Sequence, residues 1–237
     1  MIPRRPLARA LLALYGALAA VHLFVQWSDS DAWSRPTQAL LMPVLAAVLL
    51  TEAVRAGERL AVLTAAALGF SWLGDTAPAL ASGDTAFLLM VGFFLVAQVV
   101  YAVAFGPLRR GSVLHRRRAL LVLYAAAVGA LVWACAPGAG VLLVPVLAYG
   151  LCLGAAAVLA TGVHPLAGAG GALFLVSDGL IALGAFAPGF DLPRDGFWVM
   201  LTYTAAQALL VLGVLARLRA QEGSPAPAPG AEAADRT

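Results

Sequence analysis

Lysine is absent from this chain of 237 residues, cysteine and histidine are scarce at two and three, and charged residues of all kinds make up only 11%. A soluble domain carries about 25% charged residues, so this composition excludes a water-soluble fold. Cys135 and Cys152 lie in apolar stretches without metal-ligand spacing and read as small buried hydrophobes rather than as a disulfide or a thiolate site. The histidines suggest no metal site either: His22 follows an apolar run, His115 sits among arginines, and His164 precedes Pro165 in a turn. No cofactor is called for. The net charge of +3 comes from arginines clustered between apolar runs, so it speaks to membrane topology and not to nucleic acid.

What the chain has in abundance is apolar sequence, 62% of residues with a mean hydropathy of +0.91. Eight runs, at 7–27, 36–53, 59–80, 85–106, 118–136, 140–161, 166–187 and 196–217, each approach the roughly 20 residues needed to cross a hydrocarbon core of about 30 Å. The expected fold is therefore all-α, a polytopic transmembrane bundle of eight helices forming a single domain over 1–219. Residues 220–237, rich in Pro, Ala and acid, have nothing to bury and are expected to be a disordered cytoplasmic tail. The first run is too long for a signal peptide and lacks a clear cleavage site, so it counts as the first span.

Orientation follows from the arginines. Thirteen of the 15 (positions 4, 5, 9, 55, 59, 109, 110, 116, 117, 118, 217, 219 and 236) fall on one side of the layout, leaving only Arg35 and Arg194 on the other. The positive-inside rule then places both termini in the cytoplasm of a multi-pass cell-membrane protein. The same cluster at 109–118 suits contact with anionic lipid. Trp27, Trp33, Trp72 and Trp198 fall near the external ends of their runs and read as an aromatic belt, while Pro43 and Pro145 are expected to kink their helices.

The two halves resemble each other. LMPVLA at Leu41 to Ala46 returns as LVPVLA at Leu143 to Ala148, Asp75 corresponds to Asp178, and Ala97-Gln98 corresponds to Ala206-Gln207. Three matches in order suggest duplication of a four-helix unit, and the matched spans lie four apart, so the repeat is parallel.

Asp75 and Asp178 are the carboxylates that fall inside apolar spans away from a loop, where a central Asp costs about 2.5 to 3.5 kcal/mol. Each lies in an outward-running span, past its middle, so the pair can share a depth and face one cavity. The alternative is a structural clamp bonded to neighbours such as Ser71, Thr76 or Ser177. Gln98 and Gln207 suit interhelical hydrogen bonds equally well.

These residues also resemble the YhhN-like lysoplasmalogenase family of eight-helix membrane proteins. The resemblance rests on Arg35-Pro36 with Pro43 following, Gly74-Asp75, the F..AQ..Y pattern from Phe94 to Tyr101, GALFLVSD from Gly171 to Asp178, and YTAAQ from Tyr203 to Gln207. Family members often have His after the Ala of the fourth helix, where this chain has Gln98, a residue that cannot carry a proton. The resemblance implies hydrolysis of the vinyl ether bond of a lysoplasmalogen, a lysophospholipid substrate drawn from the bilayer, to a fatty aldehyde and a glycerophospho head group. Protonating the alkene carbon makes an oxocarbenium ion that water captures, a reaction two carboxylates can run as general acid and base. One Asp would hold the proton while its partner stays ionised; which is which stays open. Gln98, Tyr101, Ser177, Tyr203 and Gln207 are the expected substrate contacts around Asp75 and Asp178, and Arg35 is a candidate for the phosphate or a simple interfacial anchor. A proton-coupled transporter and a non-catalytic lipid-binding or sensory protein remain as alternatives, and the oligomeric state is not legible.

Overall fold

The computed structural model describes residues 3–28, 30–53 and 58–222. Among them there is no strand, as expected where backbone groups in hydrocarbon must be satisfied within each segment. The long helices are α1 (Pro6–Trp27), α2 (Asp31–Ala53), α3 (Arg59–Thr76), α4 (Gly83–Phe105), α6 (Arg118–Ala139), α7 (Leu143–Ala160), α8 (Pro165–Phe186) and α9 (Asp195–Glu222), with a short α5 at Val113–Arg116. By length and composition they give seven stretches able to cross a membrane, because α6 and α7 form one apolar stretch, Arg118–Ala160. A 3-10 turn at Gly140–Leu142 interrupts that stretch, with Gly140 at a φ of 50° that favours glycine.

Three expectations need correcting. The second helix begins at Asp31 rather than at 36, so Arg35 and Pro36 lie within it. Trp33 and Ser34 both donate their backbone N–H to the Ser30 carbonyl, which starts the helix early and leaves Pro36 inside its second turn. Pro145 does not kink a helix interior, because it falls in the first turn of α7, where its missing N–H has no helical partner to lose. The last helix continues to Glu222, and the rest of the expected tail lies outside the described residues, as do Arg55 and Arg236.

Chain breaks explain the helix ends. Pro78 sits in a 3-10 turn, Ala77–Leu80, directly after α3, and Gly83, at a φ of 56°, starts α4. His164 caps α8 by accepting the Leu166 N–H at 3.1 Å, with Pro165 at the first helical position. The basic segment between α4 and α6 folds into a 3-10 turn, Gly106–Gly111, and α5, and Val113 N–H donates to Thr161 Oγ1 at the α7–α8 turn.

Packing relies on small residues, as in membrane bundles generally. A Cβ on Gly170 would stand 2.7 Å from the Ala206 carbonyl oxygen, and one on Gly213 would stand 2.5 Å from the Ala167 nitrogen, so α8 and α9 cross at backbone contact. Of the apolar stretches, α9 is the most buried, while α1 and the stretch that contains α4 are the least, which makes α9 the central helix. Bulky apolar side chains turn outward instead: Phe24, Val122 and Val144 are exposed, and so are Trp27, Trp33, Trp72 and Trp198. Trp133, passed over in the sequence reading, is more exposed than any of those four.

Polar ties close the bundle. Tyr15 donates to the Thr204 carbonyl at 2.8 Å, joining α1 to α9. Glu52 at the end of α2 accepts from Arg219 of α9 at 2.8 Å and from the Arg5 N–H at 2.7 Å, so the start of α1 and the ends of α2 and α9 meet at one end of the molecule. The buried Glu52 carboxylate was not evident from the sequence because Glu52 stands at the edge of its apolar run.

Candidate functional site

At the end opposite the Glu52–Arg219 pair, a cavity of about 800 Å³ opens between α1, α2, α3, α4, α8 and α9. Asp75 and Asp178 both line it, together with Arg35, Ser177 and Tyr203. Both carboxylates border this one cavity, Asp75 from the last turn of α3, nearer its helix end than expected, and Asp178 from two turns before the end of α8.

Each carboxylate has its own partners. Asp75 accepts two hydrogen bonds, from Tyr203 Oη to Oδ2 at 2.8 Å and from Gln38 Nε2 to Oδ1 at 3.0 Å. Asp178 accepts from Tyr149 Oη at Oδ2. Gln38 and Tyr149 were not among the expected site residues. Tyr149 is the hydroxyl-bearing residue of an otherwise apolar α7, and that was its available signal, whereas Gln38 is one of several polar residues in the first half of α2 and nothing in the sequence set it apart.

The other expected contacts divide. Tyr203 lines the cavity and holds Asp75, and Arg35 is exposed at the cavity wall. Ser177 is buried and donates its hydroxyl to the Val199 carbonyl at 3.1 Å, tying α8 to α9. Gln98, Tyr101 and Gln207 do not line this cavity. Gln98 and Tyr101 border a separate void of about 10 Å³ between α4, α7, α8 and α9. There Tyr101 Oη donates to Gln207 Oε1 at 2.7 Å and Gln207 Nε2 donates to Ser71 Oγ at 3.0 Å, an interhelical network among α3, α4 and α9. Gln98 Nε2 is buried with no hydrogen-bond partner among the described residues.

A narrow apolar slot of about 70 Å³ lies beside the cavity, between α4, α6, α7 and α8. Phe87, Met90, Phe94, Asp178 and Ile181 line both spaces, so Asp178 stands at their junction, while Asp75 borders the cavity alone. Deeper in, the slot is walled by aliphatic residues such as Leu131, Val132 and Leu153. The aromatic rings of Phe94, Phe174 and Tyr203 meet edge to face, with centroids 5.6 to 6.3 Å apart, and brace the cavity wall to which Phe94 and Tyr203 belong. The arrangement is a chamber bordered by two acids and one exposed arginine, beside a slot of hydrocarbon character.

Comparison with known proteins agrees with the motifs. The chain is 33% identical over 216 residues to a protein of Rattus norvegicus named lysoplasmalogenase TMEM86B, covering 89% of this chain and 86% of the relative. It is 34% identical over 195 residues to the Sus scrofa protein of the same name, covering 81% and 80%. For the Mus musculus protein the figures are 33% over 216 residues, 89% and 88%. No solved structure matches. Because the model of the YhhN family matches residues 33–214, across α2 to α9, the chain belongs to the YhhN family.

Proposed function

We propose that this protein is a membrane hydrolase that cleaves the vinyl ether bond of lysoplasmalogen-like lipids, with Asp75 and Asp178 as its acid–base pair. One observation carries the reading: two carboxylates on different helices border one cavity, and one of them, Asp178, also lines an adjoining apolar slot. A single-chain ether lipid has the matching shape, a charged head group at one end, a hydrocarbon chain at the other and the reactive bond between them. In this reading the head group occupies the cavity, Arg35 meets its phosphate, and the alkenyl chain enters the slot. That relatives bearing the name lysoplasmalogenase match over most of their length supports the same substrate class.

The chemistry adds one water. A proton goes to the alkene carbon remote from the ether oxygen, the electron pair of the double bond forms the new C–H bond, and an oxocarbenium ion results. Water attacks that ion, losing a proton to a base, and the hemiacetal collapses to a fatty aldehyde and the free hydroxyl of the glycerophospho head group. The surrounding charge has to be negative, which two acids sharing one proton supply.

The membrane arrangement belongs to the same proposal. The stretch Arg118–Ala160 has 43 residues, about twice the span of one helix crossing, and α6 folds back against α7, which supports eight crossings with both termini cytoplasmic. The cavity would then face outward. A parallel duplication is supported by the pairing of α4 with α7 and of α9 with α2, contacts that correspond under a four-helix repeat.

The deciding experiment uses purified full-length protein in detergent with a lysoplasmalogen and its saturated ether analogue. Aldehyde release from the vinyl ether alone is the expected result. A protein that forms no aldehyde but moves protons or lipid in sealed vesicles would replace the hydrolase with the transporter reading.

A further inference from the structure

The two acids are not equivalent. Asp75 receives two hydrogen bonds, one at each oxygen, from Tyr203 and Gln38, and it is half-buried on the polar side of the cavity. Both of its oxygens are thus engaged by donors, an arrangement that suits an ionised carboxylate, which only accepts. Asp178 is buried, borders the apolar slot, and has one oxygen held by Tyr149, while its Oδ1 accepts no hydrogen bond among the described residues. An oxygen without a donor, at the edge of a hydrocarbon-lined channel, is where a proton can reside and from which it can be delivered.

Resting on the hydrolase reading, we propose that Asp178 is the general acid that protonates the alkene carbon at the junction of cavity and slot, that Asp75 is the carboxylate that directs water, and that Tyr149 is the positioning residue for Asp178. The chain in the slot sets the double bond beside Asp178, and the cavity supplies water beside Asp75. Asp178 gives its proton to carbon, and Asp75 takes a proton from the attacking water. In the collapse Asp178 removes the hemiacetal hydroxyl proton and Asp75 protonates the departing glycerol oxygen. Both acids return to their starting states, with no oxidant, metal or further reactant.

The two roles respond differently to a small anionic nucleophile. If Asp75 is the water-directing base, Asp75→Asn still forms the oxocarbenium ion, and azide in the vacated charge site captures it as an α-azido ether. Asp178→Asn forms no cation for azide to trap. The experiment incubates wild type, Asp75→Asn and Asp178→Asn with a lysoplasmalogen and sodium azide, and follows substrate loss and azido-ether mass. Monodisperse elution checks folding, and Asp75→Ala with Asp178→Ala repeats the comparison where an Asn variant does not fold. The expected result is at least a tenfold recovery of substrate consumption in the Asp75 variant, with the azido product, and none in the Asp178 variant. Recovery in the Asp178 variant alone, in both, or in neither overturns the assignment. Inactivity of the wild type toward every vinyl ether overturns the hydrolase reading instead.

Discussion

Residue by residue, the proposed acid–base cycle requires both Asp75 and Asp178, so removal of either should break it. Asp→Asn keeps volume and most hydrogen bonding, so each single variant is expected to lose turnover while eluting as a monodisperse species. The double variant should be hardly worse than either one, since residues that act together are non-additive. The kcat profile should be bell-shaped, with two limbs that belong to the pair rather than to one residue. Near-normal hydrolysis by Asp178→Asn would reduce the pair to a clamp between α3 and α8. Tyr149→Phe removes the hydroxyl donor to Asp178 and leaves the ring in the slot wall. A lost hydrogen bond of about 1 to 3 kcal/mol should appear in kcat, with KM little changed. Arg35 makes a different prediction: Arg35→Ala should raise KM about tenfold or more for a charged lysolipid, through loss of a charge-assisted contact of roughly 1.5 to 3 kcal/mol, and hardly at all for a vinyl ether without a head group. Equal effects on both substrates would make Arg35 an interfacial anchor.

Among elements, α9 holds the bundle together, and its contact with α8 depends on glycine. At Gly213 a Cβ would meet the Ala167 backbone nitrogen at 2.5 Å, and backbone cannot swing aside as a flexible side chain can. Gly213→Ala is expected to destabilise by about 1 to 3 kcal/mol, the usual range for overpacking, and to lower the thermal midpoint in detergent. Gly16 in α1 has nothing within 4 Å of its Cβ position, so Gly16→Ala should leave the midpoint unchanged or slightly raised. A Gly213→Ala protein as stable as wild type would show that the two helices separate without penalty. The network of Ser71, Gln207 and Tyr101 also belongs to this scale, because it joins three helices away from the cavity rather than touching the space a lipid would enter.

For the molecule as a whole the prediction is topological. Reporter fusions after Arg219 should be active only for a cytoplasmic reporter, whereas fusions near Asp84 or Asp191 should report the outside. An external C-terminus would overturn eight crossings or their direction. The polarity of the bundle agrees internally: Arg5, Glu52 and Arg219 meet at one end, and Gln26, Arg35, Asp75 and Asp195 surround the cavity at the other.

Hydropathy alone determined that this protein is a helical membrane protein, and it located every long helix to within a few residues, because the apolar length that crosses a bilayer is a one-dimensional property. The cost of an acid in hydrocarbon likewise singled out Asp75 and Asp178 before any coordinates. Arg35 was legible through the scarcity of positive charge on its side. What the sequence could not decide was rotation and neighbour choice. These helices are apolar all round, so the pattern does not say which face of α4 or α9 turns toward the acids. Tyr203 turns toward Asp75, while Gln207, one helical turn further along α9, lies beside Tyr101 instead. Tyr149 and Gln38 acquire their meaning only because α7 and α2 pack against the helices that carry the acids. Close backbone crossing at small residues sets those rotations, and it depends on the shapes of two surfaces at once, which no single stretch of sequence contains.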